Sequence, residues 1–370
     1  MTLNTDKFVI AAEDLQDEAV DHRVAQMQSA AAPQMVRSVG VAPAPVSGVS
    51  KFLRGNVGML GLAGLLGGIV GWVISEMVMG ADGGSSGGDL AVETAIWLAT
   101  FAAGLGAVMS AFEGVQLRSL AKVRIALLKS VPVVAGGALV GGYLAQSIYE
   151  PIIESAYRRA IATGSVPEAE SIMLGAMRFG RGVGFMVAGI AIGCALGAAT
   201  GAKKRALNGA IGGAVGGFAG GFVFDWVGMS LGDGSGAGPS RLVALTLTGV
   251  LVGIAIGLVE QVRKDHWIEI VSGGMAGKQF ILYHDTTEVG SDPACAVTLI
   301  KDPAIAARHV SLTQTPRGLL ARQLSPIAPL MINGQQAAEH LLSDGDLVQV
   351  GTTVLRYGQR GQSMPTLRQI

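Results

Sequence analysis

The residues that could do chemistry in this 370-residue chain are sparse, and their spacing argues mostly against catalysis. Gly273-Gly274-Met275-Ala276-Gly277-Lys278-Gln279 has the glycines and lysine of a phosphate cradle. Its spacing is short, and Gln279 stands where a Ser or Thr would hold magnesium. Gly180-Arg181-Gly182-Val183-Gly184 falls in an apolar helical run rather than after a strand, which excludes a dinucleotide turn. His284-Asp285 has no companions at metal-ligand spacing and reads as a pair of satisfied loop residues. Cys194 and Cys295 fall in different regions, so they build neither a disulfide framework nor a thiolate metal site. No nucleophile is followed by a base at interpretable spacing. The expectation is therefore no catalytic residue, no metal and no cofactor, in a protein that is not an enzyme. The acids Glu76, Glu113, Asp225 and Glu260 sit near the ends of apolar runs, where a wet interface makes a charge cheap.

The elements that carry these residues are set by composition. Half the residues are hydrophobic, 15% are charged, and 55 are glycine. Soluble domains carry about 25% charged residues, so the composition is that of a membrane protein. Lys plus Arg equals Asp plus Glu at 27 each, and this balance gives no support to a nucleic-acid partner. Residues 1–30 are acidic and lack the apolar core of a signal peptide. Residues 1–50 read as a mobile cytoplasmic tail, with a short amphipathic helix over about 8–30 as the alternative and a Pro-containing linker after it.

Apolar runs near 57–79, 93–115, 131–150, 177–201, 207–229 and 241–262 are each close to the ~20 residues that cross a bilayer. The third is the weakest, interrupted by Pro132, Gln146 and Ser147. Within the fifth, Gly209, Gly213, Gly217 and Gly221 form one helical stripe, and Gly212, Gly216 and Gly220 form a second beside it. In water such glycines would cost a helix roughly 1 kcal/mol each. In lipid the backbone must bond to itself, and bare stripes let a second helix approach closely. A Gly/Ala linker is the competing reading, opposed by the interleaved Ile211, Val215, Phe218, Phe222, Val223 and Phe224. Gly189, Gly193, Gly197 and Gly201 repeat the small-residue spacing, as do Gly249, Gly253 and Gly257. The string G-I-A-I-G recurs at 189–193 and 253–257, which suggests three copies of a helical pair, with chance similarity as the alternative.

Lys51, Arg54, Arg118, Lys122, Arg124, Lys129, Lys203, Lys204, Arg205, Arg263 and Lys264 flank alternate ends of the runs. The positive-inside rule then puts both termini in the cytoplasm. The break over 151–176 should be outside, yet carries Arg158 and Arg159, with Arg178 and Arg181 close behind; glutamates balance them.

At Trp267 the pattern changes to alternating segments: W-I-E-I-V, K-Q-F-I-L-Y, A-V-T-L-I, H-V-S-L-T, L-L-A-R-Q-L, D-L-V-Q-V and T-V-L-R-Y. Turn signals such as Asn333-Gly334 and Asp344-Gly345-Asp346 separate them, which suggests a β-sandwich. The order G-K-Q-F-I-L, E-V-G-S-D, D-P-A-I-A-A-R-H-V, I-N-G, L-L-S-D-G-D-L-V-Q-V-G over about 267–358 resembles the forkhead-associated (FHA) domain. The resemblance implies a sandwich that binds phosphothreonine peptides with loops at one end. It places the peptide site at Ser291, Ala306, Arg308, His309, Asn333 and Gly334. It also implies departures. The family's phosphate-binding Arg is Ser291 here, and its phosphate-binding Ser is Ala306. His309 corresponds to a loop-fixing histidine, and Asn333 to the asparagine that grips peptide backbone. Arg308 could substitute as a guanidinium, or be a solvated surface residue.

The sequence thus predicts a membrane α-helical bundle of about six glycine-zipper transmembrane helices (51–264), followed by an all-β FHA-like sandwich (265–360) and a tail (361–370). Gly189, Gly193, Gly209, Gly213, Gly217, Gly221, Gly253 and Gly257 are the expected packing positions. The expected role is an inner-membrane scaffold recruiting a cytoplasmic protein or peptide, phosphorylated or not, with homo-oligomerisation open. A channel or transporter regulated through the sandwich is the rival reading.

Overall fold

A computed structural model describes residues 55–79, 89–117, 119–230, 237–273, 275–299, 302–326 and 328–360. The expected N-terminal tail and its helix, and the tail over 361–370, lie outside the described residues.

Six helices come first: α1 (Asn56–Met79), α2 (Leu90–Gln116), α3 (Leu120–Ala162), α4 (Val166–Thr200), α5 (Lys203–Ser230) and α6 (Ala237–Val262). All six are long and apolar enough to cross a membrane. Each packs on the next, and α6 returns to α1, so the helices form a closed ring, with α2 also meeting α4. The interior is packed with aliphatic side chains such as Leu98, Leu105, Ile192 and Leu245 and with the rings of Phe101 and Phe185. Trp97 stacks on Phe101 with centroids 6.3 Å apart, Phe185 meets both edge-on at 6.1 Å, and Phe224 lies 5.7 Å from Phe185. Such offset and edge-to-face contacts suit the ring quadrupoles.

Glycines set the helix separations. The stripe of Gly209, Gly213, Gly217 and Gly221 faces α4, where a Cβ would run into the backbone of Gly193, Gly189, Phe185 and Arg181 respectively. The neighbouring stripe of Gly212, Gly216 and Gly220 faces α6 at Ile256, Val252 and Thr248. On α6, Gly249, Gly253 and Gly257 lie against Gly64, Leu60 and Val57 of α1. Val215 and Phe222 project to the outside of the ring, 60% and 40% exposed.

The helical hairpin α3–α4 departs from the sequence expectation. The run expected over 131–150 is a single helix of 43 residues, and the one expected over 177–201 begins at Val166. Pro132 and Pro151 lie inside α3 without ending it. At 1.5 Å per residue α3 is about 65 Å long, twice the ~30 Å hydrocarbon thickness. The expected break is therefore helix, joined only by Thr163-Gly164-Ser165. Glu154 pairs with Arg158 one turn on, at 3.1 Å, and buried Ala156, Ala160 and Ala176 allow tight packing.

Eleven strands follow, in two sheets ordered β2-β1-β11-β10-β7-β8 and β4-β3-β5-β6-β9. The first holds β1 (His266–Ser272), β2 (Gln279–Ile281), β7 (Leu330–Ile332), β8 (Gln335–Gln336), β10 (Leu347–Val350) and β11 (Thr353–Gln359). The second holds β3 (Thr286–Gly290), β4 (Val297–Thr298), β5 (Val310–Thr315), β6 (Gly318–Gln323) and β9 (Glu339–Leu342). Ile268, Ile270, Val348, Val350 and Leu355 from one sheet share a core with Val289, Val310, Leu312, Leu319 and Ala321 from the other. The sequence pattern anticipates seven of these strands. It misses β3, β7, β8 and β9, which have five residues or fewer and too little alternation to register.

Candidate functional site

The candidate residues sit on three connections of the sandwich: 291–296 after β3, 302–309 before β5, and the turn between β7 and β8. Gly290 fixes the first against the second, because a Cβ there would run into the Ala307 carbonyl and come within 3.0 Å of Arg308 Cα. The backbones then zip together. Ser291 N donates to Ala306 O and Asp292 N to Ala307 O, both at 3.0 Å.

Ser291 and Ala306 are thereby neighbours. The Ser291 hydroxyl donates to Ile305 O at 3.1 Å, so its proton is engaged within the loops. Ala306 contributes a methyl group and a backbone N–H that points to His309 Nδ1 at 3.4 Å. Arg308 is 60% exposed, and its Nε lies 3.3 Å from Glu288 Oε2.

His309 is fully buried. With Nδ1 accepting from Ala306 N, Nε2 donates to Pro329 O at 3.2 Å, which defines the neutral tautomer. Burial pushes its pKa below the ordinary histidine value, against the raising effects of the Pro329 carbonyl and Asp302. The ring ties the 302–309 loop to the segment entering β7 and is enclosed away from any ligand.

Asn333 and Gly334 make the β7–β8 turn with φ of 51° and 82°. These are the left-handed values that a two-residue hairpin turn demands and that Asn-Gly supplies. The Asn333 amide is used within the domain: Nδ2 donates to Asp346 Oδ1 at 2.9 Å and Oδ1 accepts from Leu347 N at 2.9 Å. Gly334 is exposed, with open space where a Cβ would be.

One organising residue escapes a reading by motif. Asp302 is buried and accepts from Ala304 N at 3.1 Å, Thr352 N at 2.8 Å, Thr352 Oγ1 at 2.7 Å and Thr353 Oγ1 at 3.0 Å. It clamps the 302–309 loop to the turn before β11. Burial raises its pKa, but the donors outweigh burial and hold the carboxyl below the usual carboxylate range. Three of its four bonds come from Thr352 and Thr353, about fifty residues away, so no local signal announces the clamp.

Residues 269–361 match the family described as the inner membrane component of T3SS, cytoplasmic domain. The match leaves the six helices outside it. Among solved structures, the FHA domain of the CT664 protein from Chlamydia trachomatis is 22% identical, covering 26% of this chain and 100% of that one, with a TM-score of 0.25. The cytoplasmic domain of the T3SS sorting platform protein PscD from P. aeruginosa is also 22% identical, covering 27% of this chain and 85% of that one, with a TM-score of 0.25. No curated protein matches the chain.

At the far ends of the ring Glu76 and Glu260 are paired. Arg241 forks onto Glu76 at 2.8 and 3.0 Å, joining α6 to α1. Glu260, 1% exposed, accepts from Asn56 at 2.7 Å and from Arg205 at 3.2 Å, joining α6 to α1 and α5. Beyond it, Arg205 lies over the Tyr283 ring at 5.8 Å, so this cluster meets the sandwich. Among the described residues no group of three or more His, Cys, Asp or Glu is placed to hold a metal.

Proposed function

We propose that this protein is a membrane-anchored scaffold of the type III secretion inner-membrane kind. Its helical ring anchors the chain in the inner membrane, and its FHA-like domain recruits a cytoplasmic protein or peptide without strict dependence on phosphothreonine. The carrying observation is the polar inventory at the loop end. Ser291 spends its proton on Ile305 O, Ala306 has no hydroxyl, and Arg308 is turned to Glu288. Phosphate recognition needs convergent charge-assisted donors. The family match over the sandwich supports a non-enzymatic, assembling role.

The lysines and arginines at the ends that carry Lys122, Lys203 and Lys204 support a cytoplasmic location for that side and for both termini. Opposite them, Arg158 and Arg241 are paired to Glu154 and Glu76, while Arg178 and Arg181 lie over the Trp226 and Phe224 rings at 4.9 and 5.2 Å. Such paired or stacked cations weigh less against an outer location than free ones. The packed hydrophobic interior of the ring favours an anchor over a conduit. The full-length protein in nanodiscs, presented with lysates treated or untreated with phosphatase, tests the reading. Capture of the same partner from both supports it, and capture only from the untreated lysate overturns it.

A further inference from the structure

A crevice of about 500 Å³ lies between the ring and the sandwich, in the size range of ligand pockets. Its floor is apolar, formed by Met59, Leu60, Met109, Phe112 and Leu196 at the helix ends. Its other walls carry an unusual concentration of unmet donors. Ser110 Oγ, Lys278 Nζ, Tyr283 OH and Thr287 Oγ1 are all buried without a hydrogen-bond partner among the described residues. Eight such side-chain atoms occur among the described residues, and these four line this one crevice. Buried polar atoms are ordinarily satisfied, so a cluster of orphans marks a place where something else bonds.

The charge balance says what. Each carboxylate lining the crevice already has a cation: Glu113 has Lys122 at 3.6 Å, Glu260 has Arg205, and Glu288 has Arg308. Among the described residues Lys278 has none within ion-pair distance, and it rests over the Phe280 ring at 4.7 Å. Burial pushes its pKa below the ordinary lysine value; Glu113 opposes this and Lys122 adds to it. The Tyr283 hydroxyl feels Glu260 but does not reach hydrogen-bonding geometry with it, and burial, with Glu260, pushes its pKa up, so it stays a protonated donor. An ammonium can only donate, and three hydroxyls can do so. The missing partner is therefore an anion with several acceptor oxygens.

We propose that this crevice binds the phosphate headgroup of an anionic phospholipid, with Lys278 as the charge partner and the Ser110, Tyr283 and Thr287 hydroxyls as neutral donors. The apolar floor, at the ends of membrane-length helices, selects the lipid over a free phosphate. The inference rests on the membrane placement of the helices and is independent of which protein the sandwich recruits.

The test uses full-length protein in detergent micelles supplemented with phosphatidylglycerol, phosphatidylcholine, glycerol 1-phosphate or inorganic phosphate. Native mass spectrometry and thermal unfolding provide the readouts. Phosphatidylglycerol should be retained and should raise the unfolding temperature, and phosphatidylcholine and both soluble phosphates should not. Lys278→Met should weaken phosphatidylglycerol retention by roughly tenfold or more, the loss of one charge-assisted bond. Lys278→Arg should keep it, and Tyr283→Phe with Thr287→Val should lower it by a smaller factor. Equal retention of the two lipids would overturn the proposal. So would unchanged retention in Lys278→Met, or an equal effect of glycerol 1-phosphate, which would make the ligand a soluble phosphate. If Lys278→Met does not fold, loss of retention in Lys278→Arg, or none in the double hydroxyl variant, overturns it instead. Failure of the lysate experiment above would leave all of these readouts unaffected.

Discussion

Arg308 Nε, on the connection before β5, lies 3.3 Å from Oε2 of Glu288 in β3. The guanidinium that could replace the family's phosphate-binding arginine therefore already faces a carboxylate, which would repel a phosphate brought beside it. Both groups are substantially exposed, so the pair contributes well under ~1 kcal/mol to stability. Arg308→Ala should leave the thermal unfolding of the protein nearly unchanged and should not alter its phosphopeptide preference. A loss of phosphopeptide binding in this variant would assign the phosphate role to Arg308.

Asp302 should matter far more than its surface neighbours. It accepts four hydrogen bonds while buried, and bonds to a charged acceptor are each worth about 1.5–3 kcal/mol. Asp302→Ala should cost at least about 2 kcal/mol in the sandwich and loosen the 302–309 loop. Amide exchange at Ile305 and at Ala306, which faces His309, is the direct measurement; unchanged protection there would contradict the clamp.

Depressed pKa values at His309, His266 and Asp302 give the sandwich a defined acid sensitivity. A lowered folded pKa means that the unfolded chain takes up protons first, so stability is present above the unfolded value and lost as pH falls. For His309 the loss begins as pH drops below about 6.5, and for Asp302 below about 4. Unfolding midpoints followed through the sandwich tryptophan Trp267 should fall in two stages. His309→Gln should shrink the upper stage, which His266 shares, and leave the lower one; a single stage in the wild type would show that one of these assignments is wrong.

In the ring, Gly213 and Gly217 press on the backbones of Gly189 and Phe185–Met186. Replacing both with Leu should separate α5 from α4, at roughly 1–3 kcal/mol per site for overpacking. Val215→Leu, on the outer face of the same helix, is the matched control and should be neutral. Equal thermal stability of all three proteins in detergent would contradict this packing.

The buried Glu260 cluster should show strong coupling. Arg205→Met leaves a carboxylate that is 1% exposed without its cation, and breaking such a pair costs about 3–5 kcal/mol. Adding Glu260→Gln should recover much of that loss. Additive losses in the double mutant would mean that the two charges do not act together.

Much of this architecture is legible in the chain, unevenly and for physical reasons. Apolar length and glycine spacing mark the helices, because lipid enforces both. The extension of the α3–α4 hairpin was not legible. Toward its C-terminal end α3 turns polar, and Pro151 reads as a stop although its missing N–H is tolerated inside the helix. Asn333-Gly334 announces its turn through two local left-handed residues. Asp302, Glu260 and Lys278 give no such signal, since their roles depend on partners or surroundings brought up from distant segments by the fold.

The central claim, recognition without an obligatory phosphate, is tested most directly by calorimetry. The full-length protein in nanodiscs is titrated with matched threonine and phosphothreonine peptides, drawn from a library and from any partner it captures. An arginine fork and a serine hydroxyl on phosphate together supply about 3 kcal/mol, or more than a hundredfold in affinity. With Ser291 and Ala306 in their places, the paired peptides should bind within a few-fold of each other. Micromolar binding that disappears on dephosphorylation would contradict the account.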